Sequence, residues 1–297
     1  MRMDGQDESS NIDDERGSSG VGGGFRIGGG HIGIGAIAVA LLAWGVFGIN
    51  PLTTLSLLGG GSAPVQQQSA PQHSGPVQSS PGEDAQVKFV SQVLRSTEET
   101  WGDIFRASSK TYVAPRLVLY RGSYPTACGQ GQAAMGPFYC PGDSKVYLDL
   151  GFFDTMRTQL GAGGDFAQAY VIAHEVGHHV QHLLGITDKV DAMRQREDEA
   201  QANAMSVRVE LQADCFAGVW ARRSQKENGW RLEPDDVEKA INAAQQIGDD
   251  TLQRKAQGVV VPERFTHGTS AQRVHWFGQG MKTGNPQACD TFSAQNL

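Results

Sequence analysis

The stretch that decides the fold of this chain is His174-Glu175-Val176-Gly177-His178, which lies inside a long apolar run. On a helix, two histidines four residues apart project from the same face. Two neutral imidazoles at this spacing can hold one zinc ion, and an adjacent carboxylate can take a proton from water activated by that ion. The motif therefore predicts a zinc-binding helix with Glu175 as the general base. A chance match among the 8 histidines of the chain is the alternative interpretation.

A catalytic zinc site usually has three protein ligands and one position left open for water. The segment Glu210-Leu211-Gln212-Ala213-Asp214 supplies two carboxylates four residues apart in apolar surroundings. We expect Glu210 to be the third ligand, and Asp214 to accept the free ring N–H of a zinc-binding histidine. The alternative is a solvated acidic pair that has Arg208 as its partner.

Two further histidines compete as ligands on the same helix. His182 is four residues after His178, so these two could also face one ion, but this pair lacks an adjacent glutamate on the useful side. His179 points about 100° away from His178 on a helix and should miss the metal. The sequence therefore favours His174 and His178 as the zinc-binding pair.

Peptide hydrolysis also needs a hydrogen-bond donor for the oxyanion that develops at the attacked carbonyl. His267 lies in a loop just before Thr269-Ser270-Ala271-Gln272, which has the pattern of a helix capping box. We expect His267 to fill this role, because a loop side chain can reach into a cleft. His275 is an alternative, and Arg273 and Tyr147 are weaker candidates.

The N-terminal region predicts a membrane anchor. Residues 32–49 form an apolar run without charge, which is just long enough to cross a bilayer, so we expect a transmembrane helix over 31–50. Arg16 and Arg26 precede this run, whereas the next basic residue after it is Lys88. The positive-inside rule then predicts a single-pass protein of the bacterial inner (cell) membrane, with a cytoplasmic N-terminus and an extracytoplasmic (periplasmic) catalytic domain. Cleavage as a signal peptide near Gly61-Ser62-Ala63 is less favoured.

Composition divides the 297 residues into four parts. We expect a disordered cytoplasmic tail at 1–30, the membrane helix at 31–50, a flexible linker at 51–85 and a folded domain at 86–297. The domain should be α+β and mainly helical with a small sheet, with helices at 86–106, 165–185, 198–225, from 234 past 247, and from 269. Strands are predicted at 116–120 and 145–150, and the second could lie at the cleft edge and pair with a peptide.

The four cysteines all follow the apolar run, so they are expected in an oxidising compartment. Cys128 and Cys140 flank a short glycine-rich loop and could close it, which leaves Cys215 to pair with Cys289. Four cysteines allow three pairings, and a buried free thiol at Cys215 is a further alternative. The net charge of −7 argues against a nucleic-acid partner.

Several motifs together resemble those of the bacterial "putative neutral zinc metallopeptidase" family, whose members are membrane-anchored. The matching stretches are Gly136-Pro137-Phe138-Tyr139-Cys140-Pro141 and the segments 145–150, 173–181, 210–215 and 265–273. The resemblance implies a zincin-like fold and a Zn²⁺ cofactor. It also implies ligands at His174, His178 and Glu210, the base at Glu175, and Asp214 as an outer partner.

The sequence thus predicts a membrane-anchored zinc metalloendopeptidase that hydrolyses peptide bonds of peptide or protein substrates with zinc-activated water. The alternative is a catalytically inactive, zinc-dependent binding or scaffold protein at the membrane. A zinc hydrolase acting on other esters or amides is a third interpretation. No residue pattern indicates the cleavage specificity or the oligomeric state.

Overall fold

The computed structural model describes residues 3, 5–17, 80–132, 136–225, 231–233, 236–246, 248, 250–251, 262 and 265–297. All of them belong to one compact unit that spans residues 1–20 and 73–297. The predicted membrane helix at 31–50 and most of the predicted linker lie outside the described residues. Within the described part of the chain, no helix is long and apolar enough to cross a membrane.

The main sheet has four strands in the order β1-β2-β6-β5. Their bounds are Ile12–Asp14 (β1), Arg116–Tyr120 (β2), Phe138–Cys140 (β5) and Lys145–Asp149 (β6). The strand β2 runs parallel to both β1 and β6, whereas β5 is antiparallel to β6. A separate antiparallel hairpin consists of β3 (Ser123–Thr126) and β4 (Gly129–Gln132). The strand expected at the cleft edge, β6, is therefore an inner strand, and β5 is the edge strand on that side.

The N-terminal residues correct an expectation from composition. Residues 5–17 are ordered against the domain, so the predicted disordered tail at 1–30 is wrong for this part. A polar segment cannot bury a core by itself, but here it gains order by pairing its backbone with β2. Likewise, the folded domain includes residues that were assigned to the linker, because Ser80 and Glu83 form a capping box that starts a helix before residue 86.

Seven α-helices are described. They are α1 (Pro81–Ala107), α2 (Gly151–Thr155), α3 (Asp165–Leu183), α4 (Ile186–Arg194), α5 (Glu199–Arg223), α6 (Asp236–Gln246) and α7 (Ser270–Thr283). A π-helical turn at Met156–Leu160 follows α2, and a 3₁₀ turn at Pro286–Cys289 follows α7. The described residues are thus α+β and mostly helical with small sheets, as predicted, and the capping box at Thr269 begins α7.

Glycines bring the central helices unusually close together. A Cβ atom on Gly280 of α7 would lie 1.9 Å from the Cys215 carbonyl oxygen of α5, and one on Gly218 would lie 2.1 Å from that of Phe277. A Cβ on Gly177 of α3 would lie 3.0 Å from the Ala213 carbonyl oxygen of α5. Because these positions lack side chains, α5 packs closely against both α7 and α3, and the polar residues of α3 and α5 come within bonding distance of each other.

Both predicted cysteine pairs are confirmed as disulfides. One joins Cys128 to Cys140, and the other joins Cys215 to Cys289. The second bond attaches the C-terminal 3₁₀ turn to α5, one residue after Asp214. Each pair closes a loop of the unfolded chain, which lowers the entropy of that state and so favours the folded one.

Candidate metal centre

Helices α3 and α5 bring three potential metal ligands together. The Nε2 atoms of His174 and His178 are 3.2 Å apart. One carboxylate oxygen of Glu210 lies 3.2 Å from Nε2 of His174, and the other lies 3.5 Å from Nε2 of His178. The two histidines face each other because they are one helical turn apart on α3, and Glu210 approaches from the facing helix.

These distances fit a tetrahedral zinc site. With zinc–ligand bonds of about 2.0–2.1 Å, neighbouring ligand atoms of a tetrahedron are about 3.3–3.4 Å apart. The three observed separations are close to that value. The residues His174, His178 and Glu210 form a group whose ligand atoms all lie within 4.8 Å of one another. The donor set of two imidazoles and one carboxylate is one that zinc accepts in catalytic sites.

The outer ring nitrogens of both histidines are fixed by hydrogen bonds. Nδ1 of His174 donates to Oδ1 of Asp214 at 2.9 Å, and Nδ1 of His178 donates to Oε1 of Gln181 at 2.9 Å. When Nδ1 carries the hydrogen of a neutral ring, Nε2 presents its lone pair. Both lone pairs then point toward the same space beside Glu210, which a cation can occupy.

Asp214 is fully buried and belongs to a charged network. Its carboxylate accepts two hydrogen bonds from the Arg273 guanidinium, each of 2.9 Å, and one from the hydroxyl of Tyr170. Burial alone would raise the pKa of Asp214, but Arg273 and His174 outweigh it and hold the pKa below its usual value. Asp214 is therefore an anion that keeps the His174 ring in one orientation.

Electrostatics favour a positive charge at the three-ligand group. Burial would raise the pKa of Glu210, but the neighbouring His178 and His174 hold it well below its usual value. Burial also favours a neutral His174, yet the Asp214 and Glu210 carboxylates raise its pKa to about 10 in the metal-free protein. The Arg273 guanidinium is bonded to the Asp214 carboxylate, so a proton or a metal ion between the two histidines and Glu210 would add positive charge beside the second carboxylate.

Glu175 lies beside this group at the wall of a cavity of about 750 Å³. Its burial raises the pKa of the carboxyl group, and the lowering effects of His174 and His178 do not overcome that rise. The cavity wall is otherwise largely apolar, with contributions from Phe138, Tyr139, Phe152, Val171, Val190 and Val209. A buried carboxyl group beside two histidines that could hold a metal ion can accept and return a proton.

Comparison with known proteins agrees with this geometry. The chain matches the family described as "putative neutral zinc metallopeptidase" over residues 1–292, a range that includes the N-terminal strand. It belongs to this family. It is 52% identical to the uncharacterized protein YpfJ of Escherichia coli K12 over 98% of this chain and 99% of that protein. It is 42% identical to the uncharacterized protein Rv2575 of Mycobacterium tuberculosis H37Rv over 73% of this chain and 75% of that protein. No solved structure is significantly similar to it.

The oxyanion candidates of this zinc metallopeptidase family member occupy different positions. His267 is exposed and lines the cavity together with the three-ligand group and Glu175. Arg273 also lines the cavity, but its guanidinium is committed to Asp214. Tyr147 is buried away from the cavity and donates to Asp143, and His275 is exposed beside Trp276. The structure thus brings His267 to the site and separates Tyr147 and His275 from it.

The remaining two histidines of α3 contact the edge strand β5. Nε2 of His179 donates to the carbonyl oxygen of Val113 at 2.7 Å, which leaves its Nδ1 to accept from the Tyr139 hydroxyl at 3.1 Å. Nδ1 of His182 then donates to the same hydroxyl oxygen at 2.6 Å. The competing pair of His178 and His182 is therefore not formed, because His182 is bonded to Tyr139.

Three polar residues of the site were missed by sequence reasoning. Tyr170 donates to the Asp214 carboxylate, Gln181 accepts from the His178 ring, and Tyr139 joins β5 to α3 through His182. Helical spacing could have indicated two of them, because Tyr170 precedes His174 by four residues and Gln181 follows His178 by three. No local signal points to Tyr139, since its partners lie about 40 residues further along the chain.

Proposed function

We propose that this protein is a zinc-dependent metalloendopeptidase. The observation that carries the proposal is the convergence of His174, His178 and Glu210 at tetrahedral separations beside a buried carboxyl group, Glu175, in one cavity. Membership of the zinc metallopeptidase family supports the same metal and reaction class. The largely apolar cavity, open to solvent at His267, is of a size that takes part of a peptide chain.

When bound, a zinc ion supplies a Lewis acid that polarises a carbonyl group and lowers the pKa of water to about 7. The protein residues supply the proton transfers. Glu175 takes a proton from the attacking water and then passes it to the leaving amine. His267 donates a hydrogen bond to the oxyanion as it develops. Asp214 and Gln181 keep the two histidine rings in position throughout.

The edge strand β5 is the element that we assign to substrate binding. Phe138 and Tyr139 of this strand line the cavity, and β5 pairs only with β6 among the described strands. An extended peptide can add to such an edge through backbone hydrogen bonds, while alternate side chains enter pockets. The Tyr139 N–H already donates to the Glu175 carboxylate, so the substrate would lie beside the metal ligands and bond to the other backbone groups of this edge.

We place the domain outside the cytoplasm, at the bacterial cell membrane, with residues 32–49 as the membrane contact. The two disulfides support this location, because such bonds persist in oxidising compartments. The expected partners are peptide or protein substrates.

The test is peptide cleavage by a Glu175→Gln variant. We expect this variant to bind zinc like the wild type and to lose about 10²–10⁴-fold in kcat, which is the usual contribution of a general base. The control is Glu197→Gln, which makes the same change at an exposed position and should cleave normally.

Three results would contradict the proposal. Wild-type turnover by Glu175→Gln would remove Glu175 from the mechanism. A wild-type protein that binds zinc but cleaves no member of a peptide library would favour the inactive binding or scaffold function. Cleavage that survives a chelator would show that the activity does not depend on zinc.

A further inference from the structure

We infer that residues 5–17 are an integral part of the catalytic domain and lie on the same side of the membrane as that domain. The sequence-based topology separates them, with the N-terminus in the cytoplasm and the domain outside. The inference depends on the contacts between the N-terminal segment and three elements of the domain, namely β2, β6 and α1.

Backbone pairing adds the N-terminal segment to the sheet. Residues 12–14 pair in register with residues 117–119 of β2. The N–H of Leu117 donates to the carbonyl oxygen of Asn11 at 2.8 Å, and the N–H of Glu15 donates to that of Leu119 at 2.8 Å. The strand thus covers a sheet edge that would otherwise expose its backbone groups, a situation that proteins usually avoid.

Side chains fasten the same segment to helix α1. Glu98 of α1 accepts hydrogen bonds from the Ser9 hydroxyl at 2.5 Å and from the Asn11 amide at 2.8 Å. Ser9 and Ser91 are joined by two further bonds, from Ser9 N–H to Ser91 O at 3.2 Å and from the Ser91 hydroxyl to Ser9 O at 3.1 Å. Polar groups that are buried without partners are costly, so these mutual bonds favour docking.

Charge complementarity reinforces the pairing with the sheet. Asp13 accepts hydrogen bonds from Arg116 of β2, and it lies 3.6 Å from the ammonium group of Lys145 in β6. Arg16 is only 6% exposed: its guanidinium is paired within the segment by two hydrogen bonds to the Asp14 carboxylate, at 2.8 and 2.7 Å, and it lies 3.9 Å from the Glu83 carboxylate of α1. A guanidinium is buried in this way only where it is paired.

These contacts cannot coexist with a single membrane crossing between the segment and the domain. The hydrocarbon core of a bilayer is about 30 Å thick, whereas paired strands lie only about 4.8 Å apart. Residues 5–17 and the domain therefore lie on the same side of the membrane. The charge argument for a cytoplasmic N-terminus also weakens, because Arg16, one of the two cations on which it depends, is buried in the folded unit.

The N-terminal strand is remote from the metal centre. In the sheet order β1-β2-β6-β5, the strand β1 is at the edge opposite to β5, about 14 Å away at the usual strand spacing. Changes in β1 should therefore alter docking without removing metal ligands, and the inference can be tested apart from the proposed peptidase activity.

Thiol labelling tests the side of the membrane. The full chain is produced in bacteria with either Ser10→Cys or Ser293→Cys, two exposed positions, and spheroplasts are treated with a membrane-impermeant maleimide before and after lysis. We expect the two cysteines to behave alike. Labelling of both before lysis places the whole unit outside, and labelling of both only after lysis supports the inference while contradicting the extracytoplasmic location. Labelling of Ser293→Cys before lysis and of Ser10→Cys only after lysis would overturn the inference that both lie on one side of the membrane.

Charge reversal tests docking in the purified full chain. Asp13→Arg places a cation beside Arg116 and Lys145, so we expect the midpoint of thermal unfolding to fall by about 2–4 °C with the zinc content unchanged. The control is Asp7→Arg, the same change at an exposed position of the segment, which should leave the midpoint unchanged. Equal midpoints for both variants would show that the segment does not dock through Asp13.

Discussion

Helix α3 presents two pairs of histidines whose surroundings differ sharply. His174 and His178 face α5, where Glu210 and Asp214 contact the two rings. His179 and His182 face β5, where both rings contact the neutral hydroxyl of Tyr139. All four rings belong to one helix, yet only the first pair can hold a metal ion with the geometry described.

The difference shows that the opposing element, and not the histidine spacing alone, decides the chemistry of each ring. Burial lowers the pKa of His179 to about 4, because the hydrogen bond to the Val113 carbonyl group raises the pKa too little to overcome that effect. His174 is similarly buried, but carboxylates raise its pKa to about 10 in the metal-free protein. A ring with anionic neighbours attracts a cation, whereas a neutral ring among neutral partners serves as a structural contact.

Removing a carboxylate that contacts the His174 and His178 rings should have the largest effect on zinc binding. Glu210→Ala deletes the third ligand, so we expect zinc affinity to fall by more than about 100-fold, beyond the usual loss for an outer partner. The measurement is zinc per folded chain after dialysis against a competing chelator.

The matched variant for the second pair is His179→Ala. It removes a buried histidine next to His178, and we expect it to retain zinc at the wild-type level even if the unfolding midpoint falls. Wild-type zinc content in Glu210→Ala would move the third ligand elsewhere. Loss of zinc from a folded His179→Ala variant would show that the second pair also contributes to metal binding.

A smaller effect is expected when Asp214 keeps its shape but loses its charge. Asp214→Asn can still accept the His174 ring N–H, but it no longer favours a nearby cation, so zinc affinity should fall by about 10–100-fold. The unfolding midpoint should fall too, because Arg273 is left buried without a carboxylate partner. Asp165→Asn, an exposed change at the start of α3, should alter neither quantity. Unchanged zinc affinity in Asp214→Asn would contradict the role of its charge.

The sequence predicted the centre because its chemistry is local. The pairs His174 and His178, and Glu210 and Asp214, each lie one helical turn apart, and this spacing determines a shared face wherever the helix packs. The disulfides were predicted because Cys128 and Cys140 flank a short loop, which leaves Cys215 and Cys289 as the second pair. The long helices were also predicted closely, although α1 begins earlier because of the cap at Ser80.

The remaining features depend on contacts between distant parts of the chain. Composition made residues 1–30 look disordered, since nothing local shows that Asp13 would meet Arg116 more than 100 positions later. Strand β6 alternates polar and apolar residues, which indicated a half-buried strand, yet four of its five residues are buried. The three-residue strand β5, which pairs along its edge, is too short to be predicted. The partner of His182 was hidden for the same reason, because Tyr139 lies on that short strand.

The smallest expected effect comes from Tyr139→Phe, which removes the hydroxyl that joins the second histidine pair to β5. The loss of bonds to His179 and His182 should lower the free energy of unfolding by about 1–2 kcal/mol, with zinc content unchanged. The control is Tyr120→Phe, because the buried hydroxyl of Tyr120 has no hydrogen-bond partner among the described residues. Removing this hydroxyl should change the free energy of unfolding only slightly. Equal unfolding midpoints for the two variants would show that the Tyr139 hydroxyl does not stabilise the fold. Zinc loss from Tyr139→Phe would show that this contact is not separate from the metal centre.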